Sequence, residues 1–233
     1  VKKTPLLFRT SIFNAGLGWA IEPTISRGAR VTYASGKLTG SLEYNDGFYS
    51  GSHRAVEGSA GWQLDTATSV TLVFIAPQAD TPGNTTATVA NKTEFDLMIS
   101  KQYGKLQLLP YVLYGNSPSS AAAGYSSDER ALAAVMIANY AFNDRFSLAA
   151  RVENVSNFSS VDDLGANADL VGYGPGSSAR TYTLTPQYKY GHLFARAEYS
   201  RVALSGFTPG LAFGASGIDP LQSRIVIEIG AQY

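Results

Sequence analysis

Apolar residues recur at every second position, connecting segments alternate between short and long, and no stretch is long and apolar enough to cross a bilayer as a helix. These three observations predict an all-β chain: an antiparallel transmembrane β-barrel with about eleven or twelve strands in the 233 residues. In a strand, residues i, i+2 and i+4 share a face, so each segment can be tested for two chemically distinct sides.

The last segment shows the period best. Ile225, Ile227, Ile229, Ala231 and Tyr233 fall on one side, and Arg224, Glu228, Gly230 and Gln232 on the other, with Val226 the one apolar exception. At 192–200, Leu193, Ala195, Ala197 and Tyr199 oppose His192, Arg196, Glu198 and Ser200. At 145–153, Phe146, Leu148, Ala150 and Val152 oppose Arg145, Ser147, Arg151 and Glu153. At 93–102, Phe95, Leu97 and Ile99 oppose Glu94, Asp96, Ser100 and Gln102. Extended to the whole chain, the pattern places strands near 24–34, 38–46, 54–63, 68–76, 92–103, 106–116, 130–142, 145–156, 179–190, 192–202 and 223–233. The Ala-rich run Arg130 to Ala141 also suits a helix, but its ending, Tyr140-Ala141-Phe142 before Asn143-Asp144, suits a strand and tight turn, and it is assigned as a strand. Most of these segments match the roughly 9–11 residues that a tilted strand needs to cross a bilayer.

The short connections are Ser35-Gly36-Lys37, Leu64 to Ala67, Gly104-Lys105, Asn143-Asp144 and Gly191. The long ones are 47–53, 77–91, 117–129, 157–178 and 203–222, rich in Gly, Ser, Pro, Asn and Asp. Short periplasmic turns against long extracellular loops are expected of an outer-membrane barrel, whereas a soluble sandwich has no reason to keep every long loop at one end. Aromatics reinforce the two ends. Tyr33, Trp62, Tyr103, Phe142, Phe146, Tyr188, Tyr190 and Tyr233 lie beside short turns, and Tyr44, Phe48, Tyr49, Tyr114, Phe158 and Tyr199 lie toward long loops. Strands are rich in aromatics anyway, so this supports the alternation of loops without replacing it.

Composition agrees. Charged residues are 15%, below the roughly 25% of a soluble domain. Eighteen basic residues balance eighteen acidic ones, which argues against nucleic acid as a partner. No cysteine is present, which excludes disulfides, thiolate metal sites and a cysteine nucleophile. A mean hydropathy near zero is what alternating lipid and water faces must average to. The opening Val1-Lys2-Lys3-Thr4-Pro5 has no apolar run behind it and reads as something other than a signal peptide.

Strand parity assigns the start of the chain. Single-chain barrels of this kind have an even strand number and both termini in the periplasm. Counting back from a strand ending at Tyr233 leaves residues 1–23 as an extracellular segment and 24–233 as barrel strands of one domain, 1–233. Either Leu6 to Phe13 is a twelfth, first strand, or the chain is the C-terminal part of a longer barrel.

The strand endings Leu148-Ala149-Ala150-Arg151-Val152-Glu153-Asn154 and Leu193-Phe194-Ala195-Arg196-Ala197-Glu198-Tyr199 resemble the arginine-x-glutamate strands of the OmpL-like β-barrel porin family. Lys37-Leu38 through Leu42-Glu43-Tyr44-Asn45-Asp46-Gly47, a strand entering an Asn/Asp-Gly loop, is similar as well. The closing Ile229-Gly230-Ala231-Gln232-Tyr233 is similar to the signal read by the barrel-assembly machinery, although Phe is the usual last residue. The resemblance covers residues 24–233. It implies a bacterial outer-membrane location in a Gram-negative organism and a barrel of about 16 strands of which this chain is the C-terminal part. Pro5 to Thr10 resembles the family's mid-barrel extracellular segment more than a first strand.

If the apolar face meets lipid, the charges of the other face point inward, because an arginine or lysine at the bilayer midplane costs roughly 2–4 kcal/mol. The expected pore-lining residues are Arg30, Glu43, Glu57, Glu94, Asp96, Arg151, Glu153, Lys189, Arg196, Glu198, Arg224 and Glu228. Arg196 and Glu198 are expected to meet Glu228 and Arg224 across neighbouring strands, with Thr181, Thr183, Thr185, Gln187 and Lys189 forming a hydroxyl-rich strip between them and Arg151. Such a wall either filters solutes by charge and size or is a salt-bridge ladder that stiffens the barrel, and one wall can do both. His53 in a loop and His192 at a short turn lie at opposite ends, so no histidine metal pair or triad is expected. Asp162 to Asp169 alternates oxygen-bearing residues but lacks the glutamate of a calcium loop and reads as a solvated acidic loop. Ala15-Gly16-Leu17-Gly18 and Tyr173-Gly174-Pro175-Gly176 read as loop punctuation.

The functional expectation is a porin, a passive diffusion channel for small hydrophilic solutes or ions, with outer-membrane lipid and the barrel-assembly machinery as partners. No cofactor, metal or nucleic acid is expected, and a homo-oligomer is compatible with the reading. A structural or adhesive barrel with a plugged lumen and partner-binding loops ranks second. A membrane-embedded enzyme ranks last, because no Ser/His or Asp/His constellation is in evidence.

Overall fold

The computed structural model describes residues 12, 15–23, 26–48, 54–78, 92–121, 126–159 and 169–231. They form one eleven-stranded antiparallel sheet in strict sequence order. The strands are β1 (Gly28–Ser35), β2 (Leu38–Asn45), β3 (Ala55–Gln63), β4 (Thr68–Pro77), β5 (Thr93–Tyr103), β6 (Leu106–Ser117), β7 (Glu129–Ala141), β8 (Phe146–Asn157), β9 (Ser178–Tyr190), β10 (Leu193–Ser205) and β11 (Leu221–Ala231). The fold is the expected all-β antiparallel barrel wall. The Ala-rich segment is strand β7, paired from Leu106↔Tyr140 to Ser117↔Glu129 with β6. Tertiary pairing overrides alanine's helical preference there, because both neighbours offer a full ladder.

The short turns fix the register. Gly104 and Gly191 hold φ of 55° and 58°, the left-handed region that tight hairpin turns need. At the opposite end Arg27 closes the β1–β2 mouth, its backbone N–H donating to Asp46 Oδ1 at 2.6 Å and its Nε to Oδ2 at 3.0 Å. Among the described residues β1 pairs with β2 alone and β11 with β10 alone.

One face of the sheet is apolar and bare. Ile225, Ile227 and Ile229 are 69–78% exposed, and Val31, Leu42, Trp62, Phe95, Leu97, Val152 and Leu193 stand out from the same face. The alternation is visible in β9, where Thr181, Thr183, Thr185 and Gln187 are buried while Tyr182 and Leu184 are exposed. Water would not leave so much apolar surface in contact with it; lipid would. One aromatic assignment differs. Phe48 turns inward and is buried under the Lys92 ammonium, 4.1 Å from its ring centroid, so it takes no part in a girdle. Tyr49, His53, Tyr233, the candidate strand Leu6 to Phe13 apart from Ile12, and residues 160–168 lie outside the described residues.

The one departure from a plain wall concerns residues 15–23, assigned from sequence to an extracellular segment. A 3-10 turn, Gly18–Ala20, lies against β7, and Ile21 is fully buried on the inner face. Its pocket consists of Leu113 of β6, Ala131, Ala133 and Val135 of β7, Val155 of β8, and Leu170 and Val171 of the β8–β9 loop. Filling that pocket with one isoleucine side chain contributes about 2 kcal/mol. The Ala15-to-Gly18 run is therefore more than punctuation. A side chain on Gly16 would come within 2.6 Å of the Glu153 carboxylate, so the close approach needs glycine.

Candidate pore lining

The register carries the inner face across the sheet. Arg30 lies opposite Glu43, Glu43 opposite Glu57, and Glu57 opposite Ile75, which faces Glu94. Asp96 faces Leu113, and Glu153 faces Val135 and Thr181. Arg151 faces Thr183, which faces Ser200, which faces Arg224. Lys189 faces Phe194, and Arg196 faces Glu228. All twelve residues picked out from sequence thus share the face opposite the isoleucines by register, and for those in β5, β8 and the middle of β10 the alternation of burial agrees.

This face divides into three strips. Over β1–β5 it is acidic. Arg30 pairs with Glu43 and, through Nη2 at 3.0 Å, with Glu57. Asn45 Nδ2 donates to Glu43 Oε1 at 3.1 Å and Glu57 Oε2 at 3.0 Å, holding the two carboxylates either side of the guanidinium. Glu94 and Asp96 continue the strip, almost wholly buried. Lys92 sits just outside β5, and its burial pulls the ammonium down to about 8 against the opposing charge of Glu94.

Over β6–β8 the face is apolar and covered. The Gly18 backbone N–H donates to Glu153 Oε1 at 2.6 Å, tying the inner segment to the wall. Glu153 also lies 3.7 Å from Arg151, whose Nη2 reaches Thr183 Oγ1 at 3.4 Å. Glu22, next to Ile21, is half-buried; burial and the charges of Asp96 and Glu153 push its carboxyl up to about 7. From the far side the β8–β9 loop folds in. Asp169 accepts backbone N–H groups from Val171 at 2.9 Å, Gly172 at 2.7 Å and Gly174 at 2.5 Å, and Asn157 Nδ2 at 2.8 Å. Its carboxylate is occupied by its own chain and buried, whereas the sequence reads as a solvated acidic loop over Asp162 to Asp169; residues 162–168 lie outside the described residues. Tyr173 meets Phe213 of the β10–β11 loop edge-to-face at 5.6 Å, and Thr208 N–H donates to Tyr173 O at 3.0 Å, so two long loops interlock.

Over β9–β11 the face is hydroxyl-rich, then charged. Arg196 grips Glu228 through Nε at 2.6 Å and Nη2 at 2.5 Å. Glu198, which sequence reasoning placed against Arg224, lies at the level of Val226 and accepts from Thr185 Oγ1 at 3.3 Å. Arg224 instead stands opposite Ser200, two residues further toward the long loops. Of the expected meeting of four charges, Arg196 with Glu228 is in register, and Glu198 and Arg224 are offset by two residues, roughly 7–8 Å apart.

Glu22, Lys92 and Glu129 belong to the inner side and were not picked out. Lys92, Glu94 and Asp96 share one face at i, i+2 and i+4, so Lys92 was within reach of the period. Glu129 sits one residue outside the strand boundary assigned from sequence. Glu22 had no periodic signal at all.

A sheet with a lipid-facing apolar side and a charged inner side is the wall of a membrane-spanning barrel. Its kinship follows: the chain belongs to the family described as "Putative beta-barrel porin-2, OmpL-like", whose profile matches residues 7–233. The family places it in the bacterial outer membrane. Among solved structures it is similar to in-vitro folded OmpT, an outer membrane protein of Vibrio cholerae, with a TM-score of 0.63 and 14% identity over 92% of this chain and 68% of that one. Outer-membrane expressed OmpT gives 0.57 and 14% over 85% and 62%, and its loop L8 deletion mutant 0.54 and 13% over 76% and 57%. At such identities the likeness is one of fold. The chain spans 57–68% of the length of these neighbours. Curated proteins gave no match.

Proposed function

We propose that the protein is a passive diffusion channel for small hydrophilic solutes or ions, lined by the mixed-charge inner face. The observation that carries this is the segregation of every carboxylate in the described strands to the inner face, while the outer face is mostly apolar and carries none. Charges gathered on the inner side of a barrel wall, away from lipid, are what a polar lumen for solutes requires. Opposite charges in close pairs, such as Arg196 with Glu228, cancel beyond a Debye length of about 8 Å and so favour weak ion selectivity. Catalysis has little support: His192 stands in the β9–β10 turn, outside the strands that carry the inner carboxylates. Membrane lipid and solute are the partners this reading needs. Recognition of the β11 end by the barrel-assembly machinery, and self-association, remain proposals of the same kind.

Single-channel recording of the full-length protein in a planar bilayer tests it. Ohmic openings with weak selectivity support the channel. Silence from correctly folded protein would favour the second reading, a plugged barrel, which the inner segment at Ile21 and the inturned loop at Leu170 and Val171 make specific.

A further inference from the structure

The outer face carries charge of one sign. Every carboxylate in the described strands points inward, whereas Lys101, Arg130, Arg180 and Arg201 fall on the outer register. Lys101 has local partners, reaching Thr68 and the Asp65 carboxylate at 3.4 Å. Arg130 lies 3.8 Å from Asp128. Arg180 and Arg201 have no ion pair or side-chain hydrogen bond among the described residues, and both are exposed.

These two arginines are neighbours. Arg180 of β9 faces Ala203 of β10, and Arg201, two residues along β10, faces Tyr182. That diagonal puts their origins roughly 7–8 Å apart, within reach of one anion. Asn154 of β8 stands beside Arg180, and Ser223 of β11 beside Arg201, adding polar groups at both flanks. Two like charges so close on a face without carboxylates repel unless an anion lies between them, and planar guanidinium forks suit phosphate oxygens. The height also fits. Arg180 is ten residues along β9 from the exposed Tyr190 at the short-turn end. At about 3.3 Å per residue and a tilt of about 40° that is about 25 Å, the height of the apolar band of such barrels. Tyr182 and Tyr199, exposed just below the arginines, mark the same interface.

We infer that Arg180 and Arg201 form a docking site for the phosphate of a phosphorylated glycolipid in the outer leaflet. The acyl chains would lie down the face below, along Tyr182, Leu184 and Tyr199. The site faces lipid and is independent of whether the lumen conducts; it rests only on the long-loop end meeting the outer leaflet.

Native mass spectrometry of the folded, full-length protein tests it, with bisphosphorylated lipid A, its dephosphorylated form, phosphatidylglycerol and phosphatidylethanolamine offered separately. Bisphosphorylated lipid A should be retained in preference to the other three. Retention should fall at least fivefold in R180Q/R201Q and recover in part in R180K/R201K, while K101Q behaves as wild type. Heat-modifiable migration on gels confirms that each variant is folded, and variants that fail it are replaced by the single substitutions. Equal retention by R180Q/R201Q would overturn the site. So would equal retention of phosphatidylglycerol, which would mean attraction to any anionic lipid. A change in oligomer size in R180Q/R201Q without loss of lipid would overturn it in favour of a contact between copies.

Discussion

The inner face of β6–β8 and that of β9–β11 are built by the same two-residue alternation and do opposite things. Over β9–β11 the inward positions are Thr183, Thr185, Arg196, Glu198 and Glu228, and Thr183, Thr185 and Glu198 are buried on a polar face. Over β6–β8 they are Leu113, Ala131, Ala133, Val135 and Val155, and the chain folds two further pieces against them, the 15–23 segment and residues 170–171 of a loop. The difference teaches that a barrel's interior is not uniformly a water face. Where inward residues are apolar, the hydrophobic effect recruits a cover; where they are polar, hydrogen bonds and ion pairs along the wall suffice.

The strongest way to break this comparison is to make the apolar half polar. Ile21→Asp removes about 2 kcal/mol of burial and would place a carboxylate in an apolar socket, where an uncompensated buried charge costs several kcal/mol more. The Gly18 amide, protected by its bond to Glu153, should then exchange about a hundredfold faster or more. Conductance should rise as the segment leaves the wall. Unchanged protection would mean that the socket does not hold the segment.

Next in size is the response of the same contact to pH. In the docked segment Glu22 is raised from 4.5 to about 7, by burial first and by the Asp96 and Glu153 charges after it. The docked form therefore favours protonated Glu22. Docking is at full strength below pH 4.5, weakens as pH rises through the window from 4.5 to about 7, and is constant above it. Gly18 exchange, corrected for its intrinsic pH dependence, should accelerate across that window, and Glu22→Gln should flatten the response. A profile for Glu22→Gln that follows wild type would assign the titration to another group.

For the other half, Glu198→Gln with Glu228→Gln leaves Arg196 without its partner, and reversal potentials should shift toward anions by a few millivolts to about 10 mV in a tenfold salt gradient. Ile21→Asp should not shift selectivity in that direction, because it adds negative charge. If selectivity is unmoved while conductance persists, the β10–β11 pair stiffens the wall and filters nothing.

The wall was legible in the sequence because its signal is local. Alternation in β8, β10 and β11 and the length contrast between Gly104-Lys105 and the long loops fix strand number, order and facing without any long-range information. Strand β7 was legible only in part. Its inward residues Ala131, Ala133 and Val135 are as apolar as its outward Leu132, Ala134 and Met136, so the period that marks the other strands disappears. That same loss of contrast was the trace of a covered inner face. The cover itself left no periodic mark, since Leu17, Ile21 and Glu22 sit in and around a 3-10 turn whose placement depends on residues more than ninety positions away, Leu113 and Glu153 among them. Charge pairing was legible in kind but not in detail: the face predicts that Arg196 and Arg224 look inward, whereas the register decides that only Arg196 meets a glutamate.

The smallest predicted effect tests whether the hydroxyl strip is a wetted surface or a structural ladder. Thr185 is fully buried, and its Oγ1 donates to Glu198 Oε2 at 3.3 Å, a long bond to a charged acceptor. Thr185→Val keeps the shape and removes that donor. If Glu198 depended on it, the loss would be about 1.5–3 kcal/mol, the usual worth of a hydrogen bond to a charged group. At 3.3 Å the bond is weaker than that, and Glu198 has a further partner, so a loss of about 1 kcal/mol or less is expected in denaturant unfolding of the reconstituted protein. Channel conductance should stay within about a factor of two, since the hydroxyl adds no net charge to the path. A loss above about 3 kcal/mol would show the strip to be a structural ladder that Glu198 depends on, and not a wetted surface.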